Sequence, residues 1–266
     1  MPPLVAPAQV RANALRARWI ALGAGLAPGV VAGVIVGAVL GSWVWGVVSF
    51  AVVVVAVCIV TPGVATPMAL ALLSARTPHE DELVRVRNLV EGLCPTFGLK
   101  EPTLRVVDDE VPNACSLGRR PDKGVLVVTA GLESVLEQIE MEGIVAHELA
   151  HLKRGDAGVS ATALAVLAPI GWLSRSDRTL HVALGRGREL LADQVAVKAV
   201  RYPPGLARAL GRLRGAPRSE RSRFVGRYMA ISRWVWVDPE ADGSDIAGQT
   251  GNLDLTSVRV AALEEM

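Results

Sequence analysis

From Trp19 to Val60 the chain runs without a single charged side chain, a stretch of valine, alanine, glycine and isoleucine with few polar interruptions. Ile20–Leu40 is long enough for one helical span and Val44–Val60 for a second, slightly short one. A hydrocarbon core of about 30 Å takes roughly 20 helical residues, and local thinning accommodates a shorter span. Trp19, Trp43 and Trp45 stand at the ends of these segments, where amphipathic rings favour an interface. A cleaved signal would have an apolar region of only about 7–15 residues followed by a small-residue cleavage site; this stretch is far longer and no clear site follows. Gly25, Gly29, Gly33, Gly37 and Gly41 recur every fourth residue. They form a stripe on which another helix can approach closely, either the second span or a second copy of the chain.

Beyond residue 60 the pattern changes. Pro62, Pro67 and Pro78 surround the apolar run Met68–Leu73, which predicts a juxtamembrane connector over 61–80. Leu83, Val86, Leu89, Val90 and Leu93 predict an amphipathic helix over Asp81–Leu93. Thr103–Val107 and Val125–Thr129 read as short strands, with Pro121–Gly124 as the turn into the second. Helical spacing resumes from Leu136 to about Lys153 and returns in the segment that begins at Arg188. A third apolar stretch follows at Ala157–Leu173.

Composition sharpens this division. Hydrophobic residues are 51% of the 266 and aromatics only 4%, an excess that the 19–60 block absorbs. Arg11, Arg16 and Arg18 precede the first span, Arg76, Arg85 and Arg87 follow the second, and the connection near Gly41–Trp43 is uncharged. Both ends are therefore expected on the cytoplasmic side. The organisation predicted is a cytoplasmic segment 1–18, a transmembrane hairpin 19–60, the connector 61–80 and a domain 81–266. A net charge of +2 carries no argument for nucleic acid, and none is expected as a partner. Cys58, Cys94 and Cys115 show neither metal-ligand spacing nor a disulfide framework, in keeping with a reducing compartment.

The chemistry concentrates in His147-Glu148-Leu149-Ala150-His151. At 3.6 residues per turn His147 and His151 share a helix face, where two imidazoles can bind one zinc ion at ~2.0–2.1 Å. Glu148 sits beside the first ligand, placed to act on a metal-associated water rather than to occupy the metal. A catalytic zinc site takes three protein ligands and keeps one position open. Glu189 is the candidate third ligand, with His181 its rival, and Asp193 lies one turn beyond Glu189, placed to orient a ligand histidine. Ala157–Leu173 cannot cross a membrane once and stop, because His151 and Glu189 on either side of it must meet on one metal. It is expected as a buried helix or one dipping into the bilayer surface.

His147–His151, Lys153–Asp156 and the Glu189–Asp193 pair together resemble the HtpX-like family of integral-membrane zinc metallopeptidases. Pro112-Asn113-Ala114, Val125–Leu132 and Pro204–Leu213 also match, so that the likeness covers roughly residues 80–215. It implies an α+β, mainly helical fold: two transmembrane helices, then a gluzincin-like domain with a small sheet packed on the motif helix. It implies one Zn²⁺ held by His147, His151 and Glu189, with Glu148 as general base. Asn113, Ala114 and Arg259 are then expected near the substrate or oxyanion; Arg259 aligns with a family arginine, whereas Leu253 replaces the family's histidine. Strand Val125–Thr129 is expected to take an extended substrate as an added strand. The implied activity is cleavage of unfolded or membrane proteins at the plasma membrane, with a latent zinc-binding scaffold or a membrane signalling protease as alternatives. The basic run Arg212–Arg227, just before Trp234 and Trp236, is a candidate contact for anionic headgroups, and a solvated loop is its alternative.

Overall fold

A computed structural model describes residues 4–174, 178–185, 187–216, 232–239 and 255–266, with backbone alone over 168–174 and 178–180. Two long helices open the chain, α1 (Pro7–Leu40) and α2 (Trp43–Leu72). Their outward faces are apolar and bare: Val34, Val39, Val52 and Ile59 are 65%, 78%, 61% and 72% exposed. Both helices are long and apolar enough to cross a membrane. An apolar surface that extensive calls for a covering that water does not supply.

The glycine stripe is taken up inside the chain. A Cβ at Gly33 would lie 2.8 Å from the Gly46 carbonyl oxygen of α2, and one at Gly29 would lie 3.0 Å from the Phe50 and Val54 side chains. Of the two partners that the stripe allows, α2 is the one that covers it. Gly41 serves differently, ending α1 in the left-handed region at φ 60°.

Where a connector is expected, α2 instead continues to Leu72 through Pro62 and Pro67. Each proline removes one backbone hydrogen bond, but Ala65 and Ala69 are buried against neighbouring helices and the packing holds the helix together. Residues 7–18, expected ahead of the span, belong to the same helix as the span. The actual connector is short, and in it Arg76 exchanges backbone hydrogen bonds with Val106 at 2.8 and 2.9 Å.

Helix α3 (Val84–Phe97) follows, three residues later than the periodicity suggests, with Val86, Val90, Leu93 and Phe97 inward. Strands β1 (Thr103–Val107), β2 (Ala114–Leu117) and β3 (Val125–Thr129) form one sheet in the order β1-β3-β2. β3 is parallel to β1, with Thr103 opposite Val125, and antiparallel to β2, with Ala114 opposite Val128. Alternate residues feed two cores. Val106, Leu126 and Val128 face α3 and the domain helices, while Val107, Val125 and Val127 face the end of α2 and its neighbours. A sheet buried on both faces explains the continuous apolar run of β3.

The remaining helices are α4 (Leu132–Val135), α5 (Gln138–Arg154), α6 (Asp156–Ser174), α7 (Arg178–Leu184), α8 (Arg188–Val200), α9 (Pro203–Gly215) and α10 (Thr256–Glu264). α5 starts on a reciprocal capping box between Glu137 and Glu140 and is buried from Gly143 through Leu152. Gly143 lets α9 cross it, since a Cβ there would come 2.9 Å from Leu206 Cα. Over its described side chains α6 is buried: Ala157, Val159, Ala161 and Leu164 are at most 2% exposed, and it packs on both helices of the hairpin.

Candidate metal centre

Two helices converge on one buried point. α5 brings His147 and His151 on one face, and α8 brings Glu189 from its first turn. His147 Nε2 lies 3.0 Å from Glu189 Oε2, His151 Nε2 lies 3.3 Å from the same oxygen, and the two Nε2 atoms are 3.1 Å apart. All three residues are at most 4% exposed. Four ligands at about 2.0–2.1 Å in a tetrahedron sit roughly 3.3 Å from one another, so this triangle has the size that zinc requires.

The far side of each imidazole explains what the near side needs. His147 Nδ1 donates to Asp193 Oδ1 at 2.7 Å. Arg259 Nε and Nη2 grip the same carboxylate at 2.7 and 2.8 Å. Burial pushes the Asp193 carboxyl up, but the Arg259 charge and its hydrogen bonds more than offset this and hold it below its ordinary value. His151 Nδ1 donates to Asp156 Oδ2 at 3.1 Å, and Arg154 Nε holds that oxygen at 2.7 Å. An ionised carboxylate only accepts, so both Nδ1 atoms carry the proton and both Nε2 atoms present lone pairs. Two lone pairs and a carboxylate oxygen aimed at one dry point repel unless a cation sits among them, which is the donor set of a metal site. Without a metal, a proton fills that need. Burial lowers the His151 pKa, yet the Glu189 charge and the Asp156 hydrogen bond reverse this and raise it to about 9.

Asp156 has a further partner. Asn13, 3% exposed on α1, hydrogen-bonds through Nδ2 to Asp156 Oδ1 and, at 2.9 Å, to the Arg154 carbonyl oxygen. Gly155, left-handed at φ 78°, turns the chain sharply enough between α5 and α6 to bring Asp156 back onto His151. A residue 143 positions away in the first apolar helix thus reaches the metal centre through one carboxylate.

On the other side, Arg188 pairs with Glu189 Oε1 at 2.9 Å and donates to Ser160 Oγ and the Trp234 carbonyl. Glu148 is 2% exposed, and no hydrogen bond from a described residue fixes its carboxylate. Cys115 is not among the converging donors; burial first, and then the charges of Glu148 and Glu189, push its thiol well above the ordinary range.

Other expected residues fall elsewhere. His181 stacks on Trp234, with centroids 4.0 Å apart, and is not among the converging donors. Asn113 is fully buried. Its amide nitrogen donates to the Asp238 carbonyl at 2.9 Å, and its amide oxygen accepts from the Ala114 and Asp238 N–H groups. Arg259 Nη1 donates to the Val237 carbonyl at 2.6 Å and lies 3.6 Å from Glu189 Oε2. Strand β3 cannot receive a substrate strand, because it is the central strand and both of its edges are paired. The edges belong to β1, bridged at Val106 by Arg76, and to β2, whose Ala114 carbonyl already accepts from Val237 N–H at 2.9 Å. Trp234 and Trp236 are buried at 3% and 1%, away from any headgroup, and Arg212 pairs with Glu137 and Glu140. Arg218, Arg221, Arg223, Arg227 and Leu253 lie outside the described residues. Asn13, Asp156 and Arg188 were given no role by pattern, although Asp156 closes the segment Lys153–Asp156 that carries part of the resemblance; for Asn13 the signal is a lone asparagine among the alanines, leucines and arginines of residues 11–18.

Comparison with known proteins identifies the family. Residues 80–241 match the family model described as peptidase family M48. The chain is similar to proteins named protease HtpX homolog. It is 34% identical over 171 residues to that of Dictyoglomus thermophilum, covering 52% of this chain and 56% of the relative. It is 30% identical over 203 residues to that of Tropheryma whipplei, covering 64% and 68%. For Salinibacter ruber the figures are 29% over 224 residues, 75% and 80%. The chain thus spans little more than half of the first of these relatives. No solved structure matches it.

Proposed function

The chain belongs to peptidase family M48, and on that premise we propose that it is a membrane-anchored, zinc-dependent endopeptidase that cuts unfolded or membrane proteins. The observation that carries the reading is the buried triangle of His147 Nε2, His151 Nε2 and Glu189 Oε2, with both histidines held by carboxylates in the tautomer a metal needs. His147, His151 and Glu189 would hold one zinc ion. When bound, zinc supplies a polarising charge and brings the pKa of a coordinated water towards ~7. Glu148, the next residue on the same helix, takes the proton of the attacking water on a carboxylate oxygen. It returns that proton to the amide nitrogen as the peptide C–N bond breaks. Asp193 and Asp156 fix the two rings, and Arg259 fixes Asp193.

Membrane anchoring rests on the two apolar helices, and the arginines at both ends of the hairpin support a domain on the cytoplasmic side of the plasma membrane. The test is cleavage of casein by the detergent-purified full chain with zinc, with a chelator, and with Glu148→Gln. Loss of a positioned general base costs about 10²–10⁴-fold in rate. Glu148→Gln should therefore keep its zinc and lose turnover. A variant that binds zinc and still cuts at the normal rate removes Glu148 from the mechanism. Stoichiometric zinc without cleavage by the unaltered chain favours a latent scaffold.

A further inference from the structure

A cleft of about 400 Å³ opens where α1, α2 and α6 meet the loop between β2 and β3. Val10, Ala17, Pro62 and Ala65 make its wall on the hairpin side, while Arg18, Arg119 and Arg120 bring charge to it. A second hollow of about 480 Å³ adjoins it, sharing Arg119 and Arg120 and adding Lys123. Asp122 is the acidic residue among these linings, and it pairs with Arg120 at 3.3 Å. Among the described residues, Arg18, Arg119 and Lys123 take no side-chain hydrogen bond or ion pair. The loop is fastened over α6 at Gly158, where a Cβ would lie 3.1 Å from the Gly118 carbonyl oxygen.

The depth of this cleft follows from helix register. Gly25 faces Val54 and Val57, so Arg18, two turns earlier on α1, stands level with the segment two turns later on α2, about residues 61–64. Arg18 is the last charged residue before the uncharged stretch of α1, which opens on Trp19, 69% exposed. An apolar wall continuous with a bilayer-facing helix pair, topped by three arginines and a lysine at headgroup level, matches the two halves of an amphiphile with an anionic head.

We propose that this cleft binds the headgroup phosphate of an anionic phospholipid, with an acyl chain lying against α2 near Pro62 and Gly63. The proposal rests on the reading of α1 and α2 as membrane spans. Asn13 also lines the cleft, so its occupant lies beside the hydrogen bonds that join α1 to Asp156.

The test reconstitutes the full chain into phosphatidylcholine vesicles containing a minority of phosphatidylglycerol, extracts it in mild detergent and measures retained lipid by native mass spectrometry. Phosphatidylglycerol should be retained above its share of the bilayer. Each arginine removed should lower that enrichment roughly fivefold, the preference that one basic group near an anionic surface confers. The variants are Arg119→Gln alone, on the exposed loop, and the triple change Arg18→Gln, Arg119→Gln and Arg120→Gln, with zinc content as the check on folding. Arg11→Gln, on the same helix but outside the cleft, should leave retention unchanged. Equal retention of the two lipids, normal retention by Arg119→Gln, or an equal loss in Arg11→Gln overturns the proposal. Displacement of the lipid by inorganic phosphate overturns the lipid as source and leaves a free-phosphate site. A chain that alkaline carbonate strips from vesicles overturns the membrane reading itself, a result distinct from a chain that stays inserted without lipid preference.

Discussion

Asn13→Ala should weaken zinc binding although residue 13 touches neither the metal nor a ligand. Asp156 Oδ2 keeps Arg154 at 2.7 Å and His151 at 3.1 Å, whereas Asn13 Nδ2 serves Oδ1. Both residues are at most 4% exposed, so the bond itself lies largely out of solvent. A hydrogen bond to a buried charge contributes about 1.5–3 kcal/mol, and the folded state should lose about that much. Only the fraction of this loss felt as misorientation of His151 reaches the metal. Removing a direct orienting partner costs 10–100-fold in metal affinity, so one bond further out the expected loss is roughly 3- to 10-fold. Asn13→Asp keeps the size but sets a carboxylate against Asp156, and its loss should exceed that of Asn13→Ala. The assay is zinc competition against a chromophoric chelator with the full chain in detergent, which needs no turnover. If both variants fold and bind zinc within about twofold of the unaltered chain, the link from α1 to the metal centre carries no energy.

Three further outcomes follow from the same geometry. Arg259→Met leaves Asp193 an unpaired buried charge, a loss of about 3–5 kcal/mol in stability, with zinc affinity down 10–100-fold; Arg259→Lys should recover only part, lacking the two-pronged grip. Equal zinc affinity in both variants would remove Arg259 from the orienting chain. In the zinc-free protein His151, raised to about 9, contributes stability that is fully present below its unfolded value near 6.5 and lost as pH rises through about 9. The melting temperature of chelated protein should fall across that window relative to the zinc-loaded form, and parallel curves would contradict the assignment. Gly143→Ala should destabilise by about 1–3 kcal/mol, because the added methyl meets the Leu206 backbone at 2.9 Å. Unchanged or higher thermal stability would mean that α9 gives way freely.

What could be read in the sequence was what depends on local spacing. The two histidines one turn apart, the Glu189–Asp193 pair and the β-branched runs of β1 and β3 all announce themselves within a few residues, and the structure brings these side chains together. What escaped depends on distant partners. β2 is four residues, Ala-Cys-Ser-Leu, with no β-branched run; it becomes a strand because β3 pairs with it. Pro62 and Pro67 looked like breakers because their cost is local while the compensation, burial of Ala65 and Ala69, comes from helices elsewhere in the chain. Asp156 stood within the motif-bearing segment, yet nothing in its neighbourhood announces Asn13. The glycine stripe was legible as a packing face but not its partner, since a stripe fixes how close a helix comes and not which one.

The bond between Asn13 and Asp156 also sets an order in time. Asn13 leaves the ribosome 143 residues ahead of Asp156, which at roughly 5–20 residues per second is on the order of ten seconds. The hydrophobic hairpin is complete well before the last orienting contacts of the metal centre exist, so insertion has a head start over maturation. A chain that missed the bilayer would have its first helix drawn elsewhere by its own apolar surface, and His151 would lose part of its support. On the function proposed above, proteolytic competence would thereby be tied to successful delivery.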